Sequence, residues 1–365
     1  MPASPEVHQA RRERARALLV GQAAPGDWLL VTTLPNIRYL TGFGGSNAVL
    51  ALHARDPEAD LLGTDGRYAE QVLSQAPGLA TLIDRSTLAA VARRIARGSA
   101  AVYVESTIAL QDWQRVTGVC GFEPMAVDGL IEGLRVIKDE FEIACLEQAC
   151  RITAQAFEVL LSQIQPGMTE IAIARRLEQL FGDLGAPDRA FATIVGSGPN
   201  SAIPHHECSP RIVEPGDLVV IDAGALVEGY HADMTRTAIA GCDPSPWQQE
   251  IHEVVRLAQA SARNDAVAGV SLADLDASAR GPIQEAGYAN AFVHGLGHGV
   301  GLQIHEAPMI SSRASGSISP STPITIEPGI YLPGRGGVRI EDTVLVESNG
   351  PRVLTDLHRD LAILG

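Results

Sequence analysis

Apolar positions in the first third of the chain fall into short runs at 28–33, 48–52 and 101–104, separated by stretches of helical spacing at 67–75 and 87–96. Short apolar runs bounded by turn residues suit buried strands, and their alternation with helical patterns predicts an α/β unit. Pro25-Gly26, Pro77-Gly78 and the glycine-rich stretch 42–45 mark its turns. Ahead of it, residues 6–19 have the period of an amphipathic surface helix.

The rhythm changes at Phe141. Ile143, Leu146, Cys150, Thr153, Phe157, Leu160 and Ile164 recur at steps of three and four, one face of a long helix that Pro166-Gly167 ends. A second helix is expected from Thr169 to about Leu184, then strands at 191–195, 218–222 and 235–240. Helices are expected at 247–265 and 272–286, the second kinked at Gly281-Pro282. Strands return at 324–327 and 338–346, with turns at Pro328-Gly329 and Gly336-Gly337, while the Ser-, Gly- and Pro-rich stretch 311–321 reads as a flexible loop. The change of rhythm near 133–138 divides the chain into an α/β domain at 1–134 and an α+β domain at 135–365.

Composition narrows the partners. A net charge of -15 and a pI near 5.1 argue against nucleic acid or an anionic membrane and favour a small ligand. The five cysteines are odd in number and include no C-x-x-C pair, so neither a disulfide framework nor a structural zinc site is indicated, and a reducing cytosol is expected. No apolar run is long enough to span a bilayer. The Arg-rich first twenty residues carry Glu6 and Glu13 and lack the apolar region of a secretory signal; a transit peptide is the less favoured reading.

Candidate chemistry lies in the second half. His294, His298 and His305 crowd among glycines, and Asp222, Asp233, Glu327 and Glu341 sit in short apolar segments. Asp222 and Asp233 are eleven residues apart across Gly229, so an antiparallel ribbon would bring them together; Glu327 and Glu341 repeat the arrangement fourteen residues apart. Taken singly, such an Asp is a turn or cap residue and such a His a satisfied core residue. Together, four buried carboxylates repel one another until protonated or matched by cations. Two divalent ions balance four carboxylates and leave a bridging hydroxide as the extra negative charge. Mostly oxygen ligands with one imidazole suit manganese or cobalt, with zinc the remaining candidate. The glycines flanking His298 are read as leaving backbone room for an ion.

These residues carry a resemblance. The strings Asp222-Ala-Gly-Ala, Asp233-Met-Thr-Arg-Thr, Gly297-His-Gly-Val-Gly-Leu, Ile326-Glu-Pro-Gly-Ile-Tyr and Arg339-Ile-Glu-Asp-Thr, in that order, resemble the pita-bread metallopeptidases: Xaa-Pro aminopeptidases, prolidases and methionine aminopeptidases. The likeness covers roughly 135–361. Asn36-Ile-Arg-Tyr-Leu-Thr-Gly-Phe and Thr64-Asp-Gly-Arg-Tyr resemble the extra amino-terminal domain of the Xaa-Pro enzymes. The fold so implied is a creatinase-like α/β domain followed by a pita-bread catalytic domain.

The resemblance implies that Asp222 chelates one ion through both oxygens, Asp233 and Glu341 bridge two, and His298 and Glu327 complete the other, with Glu327 also the proton acceptor. It gives His205, His294 and His305 to the substrate carbonyl, the tetrahedral intermediate or the leaving nitrogen. His206 has no such counterpart and reads as a neighbour. Arg339, two residues before Glu341 on one strand face, is placed to steady a ligand carboxylate. For a dipeptide's own carboxylate, Arg313 and Arg335 are the candidates.

The chain departs from the family at Ser321-Thr-Pro323, where a Gly-Met pair is common, and at Met309, near where some prolidases carry an arginine. The function implied is hydrolysis of the Xaa-Pro bond in short proline-containing peptides by a homodimer with two divalent ions per subunit. A dipeptidase is favoured over an aminopeptidase for longer peptides. A metal-free creatinase-like amidinohydrolase and a catalytically inactive binding module are the competing readings, and retention of all five ligand candidates argues against both.

Overall fold

The computed structural model describes residues 3–21, 23–99 and 101–365. Its backbone contacts divide the chain into two units, Met1–Arg135 and Val136–Gly365.

In the first unit a mixed six-stranded sheet runs in the order Ala80–Ile83, Leu61–Thr64, Ala48–His53, Trp28–Val31, Val102–Glu105 and Met125–Val127. The two strands at either end pair in parallel with their neighbours and the central pairings are antiparallel, apart from Trp28–Val31 beside Val102–Glu105, which is parallel. Leu30, Val49, Ala51, Val102 and Val104 pack against Val91, Ile95 and Val116 of two covering helices. Helix Pro5–Val20 fits the period read at 6–19, but its buried face holds cations as well as Ala15 and Leu19. Arg16 grips Asp60 with bonds of 2.9 and 2.8 Å, and Arg11 donates to the Tyr39 carbonyl at 3.0 Å. Those acceptors are distant in sequence, so spacing alone gave the helix and not its partners. Met1 and Pro2 of the Arg-rich start lie outside the described residues.

The second unit opens with helix Glu140–Leu161, started by a capping box between Asp139 and Glu142. Its buried stripe includes Leu146, Cys150, Thr153, Phe157 and Leu160. Thr153 is there for a reason periodicity hides: its Oγ1 accepts the Ala225 amide at 2.9 Å and ties the helix to strand Ala225–Val227. Helices Pro246–Asp265 and Leu272–Glu285 pack together and close one core with Leu218, Ile239, Ile324, Ile326, Ile330, Val338, Ile340 and Val344. The second helix continues past Pro282 to Glu285.

Two sheets carry the candidate residues. One has the order Ala362–Leu364, Met234–Ala240, Leu218–Ala223, Ile194–Ser197; the other has Glu306–Ile310, Gly297–Gly299, Thr322–Ile326, Asp342–Glu347, Gly350–Val353. The expected strand 338–346 is in fact two. Gly336–Arg339 pairs with Gly329–Leu332, while Asp342–Glu347 pairs with Thr322–Ile326. Ile340 and Glu341 occupy the break because their amides bond elsewhere, to Pro328 O at 3.4 Å and Thr235 O at 3.1 Å. Glu341 is thereby stitched to the neighbouring sheet. The stretch expected at 191–195 is a strand only over Ile194–Ser197. The 311–321 stretch is irregular but fastened: Ile318 is buried, and backbone bonds link 316 and 318 to 269–272. No helix among the described residues is long and apolar enough to cross a membrane.

His252, on helix Pro246–Asp265, is 4% exposed, and burial pushes its pKa down to about 4. The folded state therefore binds fewer protons than the unfolded state between pH 4 and the ordinary value of 6.5. Its contribution is complete above pH 6.5 and is lost as pH falls toward 4, by roughly 2–3 kcal/mol. Thermal unfolding of His252→Leu should accordingly show a smaller loss of Tm between pH 7 and 5 than the wild type shows; equal losses would refute this assignment.

Candidate metal centre

Antiparallel pairing sets Thr235 opposite Asp222, so Asp233, just ahead of strand Met234–Ala240, lies beside the end of strand Leu218–Ala223. In the other sheet Ile326 pairs with Asp342, which brings the following Glu327 next to the preceding Glu341. His298 enters from the middle of strand Gly297–Gly299. A cavity of about 400 Å³ is lined by all five of these residues together with His205, His294, His305 and Arg339. Phe191, Ile194, Ile304, Met309 and Ile310 supply its apolar wall.

Ligand-type atoms of Asp233, His298 and Glu341 lie within 4.8 Å of one another. His298 Nε2 is 3.6 Å from Asp233 Oδ2 and 3.4 Å from Glu327 Oε1. Its Nδ1 lies 3.0 Å from the Gly299 carbonyl, an acceptor only, so Nδ1 carries the proton in the neutral ring. The Nε2 lone pair then faces carboxylate oxygens. Burial keeps the ring neutral, holding its pKa near 4. A lone pair aimed at carboxylates is repulsive unless a proton or a metal cation stands between them.

The carboxyls agree. Burial first, and then the neighbouring acids, push Asp233 and Glu341 well above the usual carboxylate range. Burial likewise raises Glu327 to about 7, although Arg339 opposes it. Each of three acids has an oxygen held by the protein: Thr235 Oγ1 donates to Glu341 Oε2 at 2.7 Å, Thr325 Oγ1 to Glu327 Oε1 at 3.1 Å, and Arg339 Nη2 to Asp222 Oδ2 at 2.7 Å. The other oxygen of Asp222, Oδ1, is buried with no protein partner. An orphaned carboxylate oxygen in the same cavity as a bare imidazole nitrogen and three further acids fits divalent cations.

Arg339 steadies Asp222 rather than Glu341, which lies two residues further along, in the break between strands. Its remaining donors reach Thr235 Oγ1, Pro204 O and Tyr331 OH at 3.0, 3.2 and 2.9 Å. Tyr331, which sequence reading missed, accepts from Arg339 and donates to His294 Nε2 at 2.9 Å; His294 Nδ1 is bonded to Gly295 O at 2.8 Å. Both nitrogens of His294 are therefore engaged, and burial lowers its pKa to about 4. His205 and His305 instead have exposed rings in the cavity, and His305 packs edge-on against His298 with centroids 4.3 Å apart. Glu306, next to His305, is paired with buried Lys138 at 2.8 Å.

Arg313 is exposed on the 311–321 stretch and Arg335 stacks over Trp247 at 4.1 Å, both outside the cavity lining. One expectation is corrected. The glycines around His298 make room for backbone, not for an ion: a Cβ on Gly297 would lie 2.1 Å from Thr325 O, and one on Gly299 would lie 2.2 Å from Ala307 O. Close approach of the flanking strands is what demands them.

The fold and this cluster together define a metal-dependent hydrolase. The family profile Metallopeptidase family M24 matches residues 144–348, and Creatinase/Prolidase N-terminal domain matches 11–137. The chain belongs to metallopeptidase family M24, with a creatinase-type amino-terminal domain and a pita-bread catalytic domain. It is 37% identical over 345 residues to the uncharacterized peptidase YqhT of Bacillus subtilis, covering 93% of this chain and 96% of that one. It is 46% identical over 235 residues to the Xaa-Pro dipeptidase of Pyrococcus furiosus, covering 64% of this chain and 67% of the relative. The solved Xaa-Pro dipeptidase from Bacillus anthracis superimposes with a TM-score of 0.92 at 36% identity, over 98% of this chain and 100% of that one.

Crowding of the acids carries a testable consequence for the metal-free protein. A carboxyl whose pKa is raised on folding contributes fully only below its unfolded value and loses that contribution as pH rises through the folded value. With chelator present, stability should fall as pH rises from about 5 to 8. Asp233→Asn should flatten that fall and raise metal-free stability at pH 8 by about 1–2 kcal/mol. Thermal unfolding against pH reads both, and a variant less stable than wild type under those conditions would contradict the crowding.

Proposed function

We propose that the chain is a dinuclear-metal exopeptidase that hydrolyses the Xaa-Pro bond of dipeptides. The observation that carries the proposal is the bare Nε2 of His298 facing the buried carboxylates, with Asp222 Oδ1 unpartnered beside them. The Xaa-Pro dipeptidase names of the Pyrococcus furiosus relative and the Bacillus anthracis structure support the choice of bond.

In this reading Asp222, Asp233, His298, Glu327 and Glu341 would hold the ions. Bound there, divalent ions, manganese or cobalt first and zinc next, supply Lewis-acid polarisation of the scissile carbonyl and a water acidic enough to attack near neutral pH. The protein's own groups do the rest. Glu327 accepts the proton of the attacking water. His205 and His305, exposed in the cavity, hydrogen-bond the substrate carbonyl and pass a proton to the leaving proline nitrogen. His294 and Tyr331 transmit the fixed position of Arg339, which holds Asp222 in its ligating orientation. The apolar wall of Phe191, Ile194, Ile304 and Met309 excludes water around the scissile bond.

The proposal also takes 1–134 and 135–365 as the two functional domains and the assembly as a homodimer. It places the protein in the cytoplasm, a reading supported by an odd number of cysteines with no C-x-x-C pair.

Metal-stripped protein should cleave neither a Xaa-Pro dipeptide nor a Xaa-Pro-Yaa tripeptide, and adding manganese or cobalt should restore cleavage of the dipeptide. Asp233→Ala and His298→Ala should each lower metal-restored kcat/KM by about a thousandfold or more. Tripeptide cleavage in place of dipeptide cleavage would make it an aminopeptidase, and cleavage by the metal-stripped protein would overturn the mechanism.

A further inference from the structure

His205 reaches the cavity from an irregular loop, 203–209, that follows the short helix Gly198–Ala202. Bonds to other segments fasten this loop at 204, 206, 208 and 209. Pro204 O accepts from Arg339 Nη1 at 3.2 Å. His206 Nε2 bonds Glu170 Oε2 at 2.8 Å, and Ser209 donates to the same oxygen through its amide at 3.0 Å and its hydroxyl at 2.6 Å. Cys208 Sγ accepts from Val195 N at 3.2 Å and donates to Thr193 O at 3.1 Å.

Glu170 is the hub of these bonds. It is the first residue of helix Glu170–Asp183 and is fully buried. Its second oxygen accepts from Ser197 N and Oγ, both at 2.8 Å, and from Asn200 Nδ2 at 3.0 Å. Burial pushes its pKa up, but the bonds from Ser209, His206, Asn200 and Ser197 outweigh it and bring the pKa down to about 2. One carboxylate thus joins a helix start, a strand end and the loop that carries His205.

Exposure alternates along the loop: 203, 205 and 207 are exposed, while 204, 206 and 208 are half-buried. Pro204 and His205 lie in a turn, and the very next residue, His206, is held inward by Glu170 while the His205 ring is exposed in the cavity.

We propose that Glu170 and His206 are positioning residues that clamp this loop and so aim His205 at the substrate. The proposal rests on the reading of His205 as a residue that serves Xaa-Pro hydrolysis. Neither Glu170 nor His206 lines the cavity, so both act through His205.

The test is a double-mutant cycle on the metal-loaded enzyme together with amide exchange on the metal-free protein. His206→Ala should lower kcat about five- to twentyfold, with KM changed less than about twofold and bound metal unchanged. In a His205→Ala background the same substitution should cost less than about twofold, because the residue it aims is gone. His206→Gln, which keeps a side-chain donor for Glu170, should recover most of the loss. Equal costs in both backgrounds, an unaltered kcat, or a Gln variant as impaired as Ala would overturn the proposal.

Amide exchange across 203–209 should quicken about tenfold or more in His206→Ala while helix Glu140–Leu161 stays protected. Unchanged exchange in the loop would overturn the clamp. That readout needs no substrate, so a wild type that cleaves no Xaa-Pro peptide would refute the proposed reaction and leave the clamp to be judged by exchange.

Discussion

Asp222, Asp233, Glu327 and Glu341 are gathered round the cavity with the unprotonated nitrogen of His298 turned toward two of them. Without metal, only protonation of the acids relieves that. Arg339 is the guanidinium in the cavity lining, and it binds Asp222 through one oxygen only. Leaving acids buried without counterions costs several kcal/mol each, which is what lifts the carboxyl pKa values here. The architecture of the second unit can be understood as a means of holding this unfavourable group of charges in place until cations balance them.

Two features of the backbone do most of the holding. Antiparallel pairing in one sheet delivers Asp222 and Asp233, and in the other it delivers Glu327 and Glu341. The break at Ile340 and Glu341 then lets Glu341 bond to Thr235 of the first sheet through both its amide and its side chain. Threonines recur in this role. Thr235 serves Glu341 and Arg339, Thr325 serves Glu327 and the His298 amide, and Thr343 Oγ1 donates to Asp233 O at 2.8 Å. The Thr235 and Thr325 hydroxyls each hold one oxygen of a candidate ligand carboxylate, and the Thr343 hydroxyl holds the backbone of another.

How much of this could be read beforehand follows from the range of each interaction. Helix Glu140–Leu161 was legible because its stripe repeats locally, and the five ligand candidates were legible because each sits in a distinctive short string. Interactions between distant segments were not. The Arg339 bond to Asp222 spans 117 residues and the Lys138 bond to Glu306 spans 168, and nothing in the spacing of either partner encodes the other. The division of 338–346 into two strands was hidden for the same reason, since bonds to Pro328 and Thr235 cause it. His206 looked like a neighbour of His205 because its partner, Glu170, lies on a separate helix that by period alone is an ordinary amphipathic one. The Thr-x-Glu spacing of Thr325 and Glu327 was the one available hint of the supporting hydroxyls, since residues two apart share a strand face.

The central claim is that cations belong among these side chains. Crystals grown with manganese and measured at its absorption edge test it most directly, because anomalous scattering locates the ions independently of any substrate. Two peaks per chain are expected, each within bonding distance of oxygens from Asp222, Asp233, Glu327 or Glu341, with His298 Nε2 on one of them. Peaks elsewhere, or none at a manganese concentration that restores activity, would contradict it.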